Sequence, residues 1–395
     1  MSANILLGVT GGIAAYKMLS AASQLTKLDY NVYTVMTKSA QEFVSPLAFH
    51  SITHKPVETD LFSSSSSEVK HIELADQSDL FLIAPATANF IAKAAHGIAD
   101  DLLTTVILAR QAPILVAPSM NVHMFENPVV QKNMNKLEEL GFKIITPEAG
   151  YLACGYTGKG RLPEPETLVE AVEMELNKKD LKNKKVLITA GPTRQAIDPV
   201  RFLSNYSSGK MGYALAKKAA LRGAEVVLIS GPTSLEAPMG VEMYQVETVE
   251  EMKKAVFDEF DSSDITIMAA AVADYTPKNV NKEKIKKSSG NLLLELERTT
   301  DILAELGKKK KAEQLLIGFA AESSDLIKNA EEKLQKKNAD YIIANDISSA
   351  EAGFASDENE ITILSKYEQK NFPLQDKEEL ADKIFDYLIN PDWRN

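Results

Sequence analysis

The chain contains a single cysteine, Cys154, in a segment suited to chemistry rather than to packing. Three glycines, Lys159, Arg161 and a proline fall within the next nine positions, which is typical of an irregular loop. A lone cysteine cannot form an internal disulfide and is most often a buried apolar residue. A thiol on a glycine-rich loop beside two cations is instead suited to donate a proton or to act as a nucleophile. The pattern favours Cys154 as a catalytic residue.

Two further polar residues of the first half are candidates. His71 follows a serine run, residues 63–67, which is typical of a flexible loop, and it could act as an acid or a base. A solitary histidine is more often a surface residue, so this interpretation depends on what else lies nearby. Asn121 follows an apolar strand pattern at Ile114–Ala117, and Asn89 follows a similar pattern at Asp79–Ala84. We expect both asparagines at one edge of a sheet.

These residues need a scaffold, and the sequence predicts an α/β sheet for it. The run Asn4–Val9 reads as a strand, Gly11 and Gly12 as a turn, and Ile13–Leu28 as a helix. Such a turn brings backbone N–H groups and a helix end close to a phosphate, although the spacing is not GxGxxG. A second strand, Asn31–Met36, ends in a polar cluster containing Thr37 and Ser39.

Length and composition limit the class of protein. At 395 residues, with 45% hydrophobic residues, the chain is long enough for two domains. The net charge of −11 argues against a nucleic-acid or membrane-surface binder and favours an acidic enzyme. The lone cysteine, the absence of a long apolar run and the absence of a basic leader predict a cytoplasmic location. The lysine-rich segment Asn177–Lys185 predicts a linker, with domains at 1–182 and 183–395.

The second half contains a long polar loop before an alanine-rich helix. Lys185–Ala190 begins a new α/β pattern, and Asp198–Gly212 leads into a helix predicted at Tyr213–Leu221. Small residues, a cation and a helix N-terminus favour phosphate binding at Ser207, Ser208 and Gly209. This loop is not a Walker A motif, because Met211 follows the Gly-Lys pair.

Charged residues follow the later strands of this half. Asp274 comes just after the predicted buried strand Ile265–Ala270, and the basic run Lys284–Lys287 lies beyond it. Most lysine clusters are only solvated, but the acidic background favours a phosphate-facing role here. Lys333 and Lys337 lie on one face of a predicted helix.

In the first half, three motifs resemble the flavin-dependent cysteine decarboxylase family: His71, Pro118–Met124 and Ala153–Gly155, in family order. The turn Ala84–Asn89 matches the coenzyme A branch of that family, and Phe125 replaces a tryptophan of some relatives. The resemblance implies a flavodoxin-like domain that binds FMN. It implies that His71 assists oxidation of the substrate thiol, that Asn121 orients the carboxylate and that Cys154 protonates an enethiol. The implied FMN-binding residues are Gly11, Gly12, Ile13, Thr37, Ser39, Pro85, Thr87 and Asn89.

The second half resembles the phosphopantothenate–cysteine ligase family. Its matching motifs, in order, are Ser204–Gly212, Ala269–Tyr275, Lys284–Lys287, Gly318–Glu322 and Ala344–Asp346. The resemblance implies a nucleotide-binding ligase domain in which CTP converts a carboxylate into an acyl cytidylate. Lys284 would neutralise developing charge, and Asn205 would hold the intermediate with Arg201 nearby. The implied CTP-binding residues are Met268, Ala269, Ala270, Asp274, Lys284, Thr300, Asp301, Ile302, Phe319, Lys333 and Lys337.

Together the two halves have the order of the bacterial bifunctional enzyme of coenzyme A synthesis. The implied substrates are 4′-phosphopantothenate, L-cysteine and CTP, with FMN and Mg²⁺ as cofactors; no carboxylate pair identifies the magnesium ligands. The resemblance also implies decarboxylase trimers joined through ligase dimers into a dodecamer. Two alternatives are a non-catalytic flavoprotein regulator and a nicotinamide oxidoreductase. Retention of His71, Asn121 and Cys154 argues against the first, and the lack of GxGxxG against the second.

Overall fold

A computed structural model of the chain describes residues 2–62, 70–151, 157–286, 291–322, 326–346 and 356–389. The chain divides into two compact units, Met1–Asn177 and Lys178–Asn395. The serine run 63–67, Cys154 and Lys287 lie outside the described residues. Within the described ranges, no helix combines the length and the apolar character needed to cross a membrane.

The first unit alternates strands and helices. Its strands are β1 (Asn4–Val9), β2 (Asn31–Met36), β3 (Val57–Glu58), β4 (Leu80–Ala86), β5 (Ile114–Pro118), β6 (Lys143–Ile144), β7 (Glu148–Tyr151) and β8 (Thr157–Arg161). Its helices are α1 (Lys17–Lys27), α2 (Pro46–Thr53), α3 (Lys70–Gln77), α4 (Ala88–His96), α5 (Leu102–Ala109), α6 (Val122–Phe125), α7 (Pro128–Glu139) and α8 (Pro165–Leu176). Single 3₁₀ turns occur at Ile13–Tyr16 and Ala40–Glu42.

The main sheet of this unit is parallel, with the strand order β3-β2-β1-β4-β5-β6. Ile5, Leu6 and Leu7 are consecutive in β1 and all fully buried. Such a run, apolar on both faces, indicates that helices cover both sides of the sheet. The order reverses between β1 and β4, which places a crevice beyond the carboxyl ends of these two strands. β7 and β8 form a separate antiparallel hairpin.

The second unit repeats the pattern. Its strands are β9 (Lys185–Ala190), β10 (Arg194–Asp198), β11 (Arg201–Ser204), β12 (Glu225–Ser230), β13 (Val241–Gln245), β14 (Ile265–Met268), β15 (Tyr275–Pro277), β16 (Leu296–Arg298), β17 (Leu315–Glu322), β18 (Tyr341–Asp346), β19 (Glu358–Ser365) and β20 (Gln369–Asp376). Its helices are α9 (Lys210–Leu221), α10 (Val249–Phe260), α11 (Ile302–Lys309), α12 (Leu326–Lys337) and α13 (Lys377–Ile389).

The main sheet of this unit has the order β13-β12-β9-β14-β17-β18-β19-β20, with β19 and β20 antiparallel to their neighbours. Along the chain, the first six strands of this main sheet are β9, β12, β13, β14, β17 and β18. Their spatial order in the sheet is the same as that of the six main-sheet strands of the first unit. The crevice therefore lies beyond β9 and β14. The hairpins β10–β11 and β15–β16 stand outside the main sheet. The predicted fold class, two Rossmann-like α/β units with parallel-rich sheets, is confirmed.

Several element boundaries differ from those expected. The helix expected at Ile13–Leu28 begins with a 3₁₀ turn and becomes α-helical only at Lys17. The strand expected to end at Ala84 continues to Ala86, and the strand expected to end at Ala270 stops at Met268. Helix α9 begins at Lys210, three residues before the expected start, because Gly209 adopts a left-handed conformation (φ +80°) that caps it.

Candidate active sites

A threonine that the sequence analysis did not single out links the two strands that border the crevice of the first unit. Thr10, just after β1, donates a hydrogen bond from Oγ1 to the carbonyl oxygen of Pro85 (2.6 Å) and accepts one from the N–H of Thr87 (3.1 Å). The Thr87 hydroxyl in turn accepts from the N–H of Phe90 (3.4 Å) and caps α4. These bonds hold the ends of β1 and β4 together. The position of Thr10 directly after a predicted strand is the sequence feature that could have identified it.

The loops after β1 and β2 also touch. A Cβ atom placed on Gly11 would lie 2.3 Å from the Cβ of Ser39, so any larger residue would push the two loops apart. The N–H of Thr37 bonds to the carbonyl oxygen of Val9 (3.1 Å), which holds these loops side by side. The structure thus brings to one edge of the sheet all the residues that the resemblance assigns to FMN: Gly11, Gly12, Ile13, Thr37, Ser39, Pro85, Thr87 and Asn89.

Asn121 lies at the same edge, at the end of β5. Its side chain caps α6, with Oδ1 accepting a bond from the N–H of His123 (2.8 Å). The N–H of Ser119 bonds to the carbonyl oxygen of Ala86 (3.0 Å), which fixes this segment to the end of β4. Asn89, on the first turn of α4, and Asn121 therefore both follow neighbouring strands, as the sequence predicted.

The hairpin β7–β8, which flanks the Cys154 segment, packs against the residues around Asn121. The N–H of Met120 bonds to the carbonyl oxygen of Gly160 (3.0 Å). Gly160 has φ +125°, and a Cβ there would lie 2.5 Å from the carbonyl oxygen of Met120. A Cβ on Gly158 would lie 2.6 Å from Val122. Only glycines permit this approach, so the hairpin that carries Cys154 is anchored beside Asn121.

His71 occupies a different position. It lies in the first turn of α3 and is half-buried, and α3 packs against α5. The residues assigned to FMN and Asn121 instead follow the carboxyl ends of strands. The role of His71 in oxidation of the substrate thiol stays a prediction.

A cavity of about 1110 Å³ occupies the crevice of the second unit. Its walls come from the segments after β11 and β14, from residues within β17, β18 and β19, and from the ends of α9, α11, α12 and α13. The predicted CTP- and phosphate-binding residues that line it are Ser207, Ser208, Gly209, Met268, Ala269, Ala270, Asp274, Thr300, Asp301, Ile302, Phe319, Lys333 and Lys337. Asn205 also lines it, with Nδ2 donating to the carbonyl oxygen of Val272 (3.0 Å).

Two threonines that the sequence analysis did not single out bond to the segment after β14 that lines this cavity. Thr189, near the end of β9, accepts at Oγ1 a bond from the N–H of Ala270 (3.1 Å). Thr193 accepts one from the N–H of Ala273 (2.9 Å). These bonds hold the chain after β14 in an extended path across the carboxyl end of β9. The arrangement is comparable to that of Thr10 in the first unit.

The N-terminus of α9 opens directly into the cavity. A Cβ on Gly212 would lie 2.5 Å from the Cβ of Ala190, so the helix approaches β9 as closely as glycine allows. The N–H groups of a first helical turn and the positive end of the helix dipole favour an anion at this position. Ser207, Ser208 and Gly209 precede the first helical residue, which is consistent with the predicted phosphate-binding loop.

Charged residues form the opposite wall. Asp301 caps α11, accepting a bond from the N–H of Ala304 (3.0 Å), and forms an ion pair with Lys337 at the end of α12. Burial lowers the pKa of the Lys337 ammonium, and the negative charge of Asp274 acts in the opposite direction. A partly buried ammonium close to two carboxylates is suited to bind a polar ligand that displaces water.

Arg201 and Lys284 are not among the described residues that line the cavity. Arg201 begins β11, where its guanidinium Nη1 lies 3.3 Å from Asp198 Oδ2 and Nη2 donates to the carbonyl oxygen of Ile285 (3.2 Å). Lys284 is exposed, on the segment between β15 and β16. Arg201 therefore contacts the backbone of Ile285, the residue next to Lys284. Neither catalytic candidate is among the described residues that line the cavity.

The sequence analysis also missed residues on the far wall of the cavity. Asn345, Asn359 and Lys377 line it from β18, β19 and the start of α13. The Oδ1 atom of Asn345 is buried and has no hydrogen-bond partner among the described residues. Asn345 belongs to the Ala-Asn-Asp motif, which was the available signal. The described residues contain no group of three or more His, Cys, Asp and Glu that could hold a metal ion.

Comparison with known proteins identifies both units. The family model described as Flavoprotein matches residues 1–177, and the DNA/pantothenate metabolism flavoprotein C-terminal domain matches residues 181–391. A Bacillus subtilis protein named Coenzyme A biosynthesis bifunctional protein CoaBC is 51% identical over 387 residues, covering 96% of this chain and 95% of the relative. The protein of the same name from Vibrio cholerae is 45% identical over 389 residues, covering 98% and 97%.

Among solved structures, a crystal structure of the C-terminal domain of a CoaBC protein is 45% identical, covers 53% of this chain and 96% of its own, and has a TM-score of 0.46. The match of the relatives extends through both units, and the second family model alone covers more than half of the chain. The chain therefore belongs to the family of coenzyme A biosynthesis bifunctional proteins, with a flavoprotein domain followed by a DNA/pantothenate metabolism flavoprotein C-terminal domain.

Proposed function

We propose that the chain catalyses two successive steps of coenzyme A biosynthesis. Residues 183–395 join 4′-phosphopantothenate to L-cysteine with CTP, and residues 1–182 decarboxylate the product to 4′-phosphopantetheine. One observation carries the proposal: the cavity of the second unit collects Asn205, Asp274, Phe319 and Lys337, which are widely separated in sequence, around the N-terminus of α9. Such a site combines hydrogen-bond donors that suit phosphate groups with a wall of small residues.

In the ligase step, a carboxylate must be activated before an amine can displace one of its oxygens. Transfer of the cytidylyl group from CTP forms an acyl cytidylate and releases pyrophosphate. Ser207, Ser208 and Gly209 would bind phosphate at the N-terminal end of α9, where the helix dipole favours an anion. Asn205 would hold the acyl intermediate, with Arg201 nearby. Lys284 would neutralise the charge that develops when pyrophosphate and CMP leave.

Magnesium would accompany the triphosphate in this step. Mg²⁺ commonly binds through substrate phosphates, one or two carboxylates and several waters. The described residues offer no cluster of three or more His, Cys, Asp and Glu side chains that could hold a metal ion. The phosphate oxygens of the nucleotide would therefore supply most of the ligands of the ion. Asp274 and Asp301, which line the cavity, are the carboxylates available to bind a hydrated ion or the ribose hydroxyls.

The crevice of the first unit fits a flavin phosphate. The loops after β1 and β2 meet beside this crevice, where a Cβ on Gly11 would lie 2.3 Å from the Cβ of Ser39, so that only glycine permits their close approach. Gly11, Gly12, Thr37 and Ser39 would hold the phosphate end of FMN, while Pro85, Thr87 and Asn89 would lie along the rest of the molecule. When bound, FMN supplies the reversible electron acceptance that loss of CO₂ from an unactivated cysteinyl carboxylate requires.

The chain's own residues would handle the substrate and its protons. The amide of Asn121 would bind and orient the cysteinyl carboxylate at the end of β5. His71 would take the proton of the substrate thiol. Cys154 would return a proton to carbon after CO₂ has left, since a thiol is a sufficiently strong acid for this step. Cys154 lies outside the described residues, and its proposed place follows from the flanking hairpin at Gly158 and Gly160.

We also propose a homo-oligomer. His71 lies on α3, whereas Asn121 and the residues assigned to FMN follow the carboxyl ends of strands, and a site shared between subunits would bring the whole set together. Decarboxylase trimers linked by ligase dimers would give a dodecamer in the cytoplasm. Light scattering at micromolar concentration should therefore report a mass far above that of the 43.3 kDa chain. A fully active, flavin-loaded monomer would refute the shared site.

The function itself is tested with purified full-length protein. Incubation with 4′-phosphopantothenate, L-cysteine, CTP and Mg²⁺ should release pyrophosphate and CO₂ and give 4′-phosphopantetheine by mass spectrometry, and the protein should show the absorbance of bound FMN. Pyrophosphate release without CO₂ would limit the chain to the ligase activity. A protein that binds FMN but releases neither product would instead favour a flavoprotein regulator, and one that requires a nicotinamide cofactor would favour an oxidoreductase.

A further inference from the structure

Asp198 is a buried carboxylate that the proposed reaction does not use. It ends β10, and its side chain has 0% exposure. Its Oδ1 atom accepts bonds from the N–H groups of Val200 (2.8 Å) and Arg201 (2.9 Å), which form the turn of the β10–β11 hairpin. Its Oδ2 atom accepts a bond from the N–H of Ile285 (3.1 Å), which is far away in sequence.

Ile285 is held through both of its backbone polar groups. While Asp198 binds its N–H, Arg201 donates from Nη2 to its carbonyl oxygen (3.2 Å). Four residues earlier, the N–H of Asn281 bonds to the carbonyl oxygen of Ile197 (3.0 Å). Lys284 therefore lies between two points at which its segment is attached to the β10–β11 hairpin.

The Asp198 carboxylate accepts more hydrogen bonds than the closing of a hairpin turn requires. A turn of this kind is closed by one carboxylate oxygen, and the backbone N–H groups of Val200 and Arg201 both bond to Oδ1. Placing the charged Oδ2 away from water is costly unless it is bonded, and its partners are the N–H of Ile285 (3.1 Å) and the guanidinium of Arg201 (3.3 Å). Burial raises the pKa of Asp198, but the backbone bonds from Val200, Ile285 and Arg201 and the charge of Arg201 outweigh it and lower the pKa. The group is thus a carboxylate at neutral pH.

We propose that Asp198 is a positioning residue of the ligase reaction, which fixes the Lys284 segment to the β10–β11 hairpin so that the Lys284 ammonium is held for charge neutralisation. The inference rests on the proposed function, in which Lys284 acts on the departing phosphates. Asp198 itself touches neither substrate. In addition to its proposed place near the acyl intermediate, Arg201 helps to attach the Lys284 segment, because it binds the carbonyl oxygen of Ile285 while Asp198 binds the N–H.

The principal test compares Asp198→Asn with Lys284→Gln in the full-length protein. Asparagine keeps the shape of the side chain but replaces one accepting oxygen by an NH₂ donor, which faces an N–H group. The kcat of CTP-dependent ligation should fall about 100-fold, because a displacement of about 1 Å can cost this much. The KM for CTP should stay close to the parent value, since the residues lining the cavity are untouched.

The double variant separates positioning from an independent effect. If Asp198 acts through Lys284, the combined variant Asp198→Asn, Lys284→Gln should be no slower than Lys284→Gln alone. Hydrogen exchange gives a readout independent of activity: the peptide containing Ile285 should exchange about tenfold faster in Asp198→Asn, because its amide loses its acceptor. Asp264→Asn is the matched control. Asp264 also accepts a backbone N–H, that of Lys185 (2.8 Å), but at the opposite edge of the sheet.

A second pair of variants leaves Asp198 in place, in case Asp198→Asn does not fold. Ile285→Pro removes the N–H that Oδ2 accepts, and Ile285→Ala keeps it. The first should lower kcat and the second should not. The proposal is overturned if Asp198→Asn or Ile285→Pro ligates at the parent rate, or if the losses from Asp198→Asn and Lys284→Gln multiply. If the parent protein shows no CTP-dependent ligation, the proposed function fails instead.

Discussion

The carbonyl oxygen of Gly160 accepts a 3.0 Å hydrogen bond from the N–H of Met120, the residue before Asn121. This bond joins the hairpin flanking the Cys154 segment to the end of β5. The described hairpin strands on either side of the Cys154 segment are thereby attached next to Asn121. The relationship also explains why the cysteine segment contains so many glycines: Gly158 and Gly160 are required by close packing against Val122 and Met120.

The proposed order of proton transfers predicts different blocks in two variants. Cys154→Ser should still bind FMN and release CO₂, because protonation of carbon follows loss of CO₂, but it should not form 4′-phosphopantetheine. A serine hydroxyl is too weak an acid to replace a thiol with a pKa of about 8.5. His71→Asn should release no CO₂. Trapped CO₂ and product mass, measured in a single turnover without oxygen, distinguish the two. Normal turnover by Cys154→Ser would make the thiol a packing residue.

The hairpin anchor can be tested at Gly160. Gly160→Ala should abolish CO₂ release while leaving pyrophosphate release intact, because its Cβ would lie 2.5 Å from the carbonyl oxygen of Met120. Gly97→Ala is the matched control: Gly97 also has a positive φ, +68°, but nothing lies within 4 Å of an added Cβ. Both variants carry backbone strain of about 1–2 kcal/mol. Equal decarboxylase rates in the two variants would contradict a specific role of the Gly160 contact.

Lys337 should matter for CTP affinity. Lys337→Met keeps the length of the side chain and removes the ammonium that faces the cavity beside Asp274 and Asp301. The loss of a charge-assisted bond of about 1.5–3 kcal/mol should weaken CTP binding about 10- to 100-fold, measured by calorimetry. Lys336→Met, one residue earlier and exposed, should bind CTP like the parent protein. Equal affinities would exclude Lys337 from the nucleotide site.

The stability of the second unit should depend on Arg222. Its side chain has 0% exposure and pairs with Asp180 (2.6 Å), Asp382 (3.1 Å) and Asp386 (2.9 Å). Because the carboxylates are partly solvated, Arg222→Met should cost about 2 kcal/mol, below the about 3–5 kcal/mol of fully buried pairs. By calorimetry, the Tm of the second unit should fall by roughly 5 °C at pH 7.

The same pairing predicts the sign of a pH effect. Burial raises the pKa of Asp180, but the bond to and the charge of Arg222 outweigh it and lower the pKa. A carboxyl whose folded pKa is depressed contributes stability above its unfolded pKa of about 3.9, and this contribution disappears as the pH falls through the folded value. The difference in Tm between Arg222→Met and the parent should therefore be smaller at pH 3 than at pH 7. A difference independent of pH would assign the effect to packing.

Much of the scaffold could be predicted from local patterns. The strands at Asn4–Val9, Asn31–Met36 and Lys185–Ala190 have the predicted bounds. Buried parallel strands are continuous apolar runs ended by glycine or polar turns, and such runs are visible in a sequence. The motif residues after these strands were predicted to lie at the sheet edges, and most of the nucleotide candidates do line one cavity.

Element ends were less accurate where tertiary contacts decide them. α9 begins at Lys210 because the left-handed Gly209 caps it, although Ser-Ser-Gly-Lys reads locally as a loop. β4 continues to Ala86 because Ala86 pairs with Pro118 of β5 after an irregularity in the ladder. The partner strand β5, and the close approach of Thr233 to Gly209, lie outside the local pattern.

The sequence by itself determined the α/β class, the loops that are candidates for ligand contact and the residue types available for chemistry, since these follow from periodicity and local side-chain chemistry. Only the tertiary structure decided that Asp198 binds the N–H of Ile285 and that Gly160 binds the N–H of Met120. A hydrogen bond between distant segments depends on distances of a few tenths of an ångström, and these are set by how the sheets, hairpins and helices pack around them.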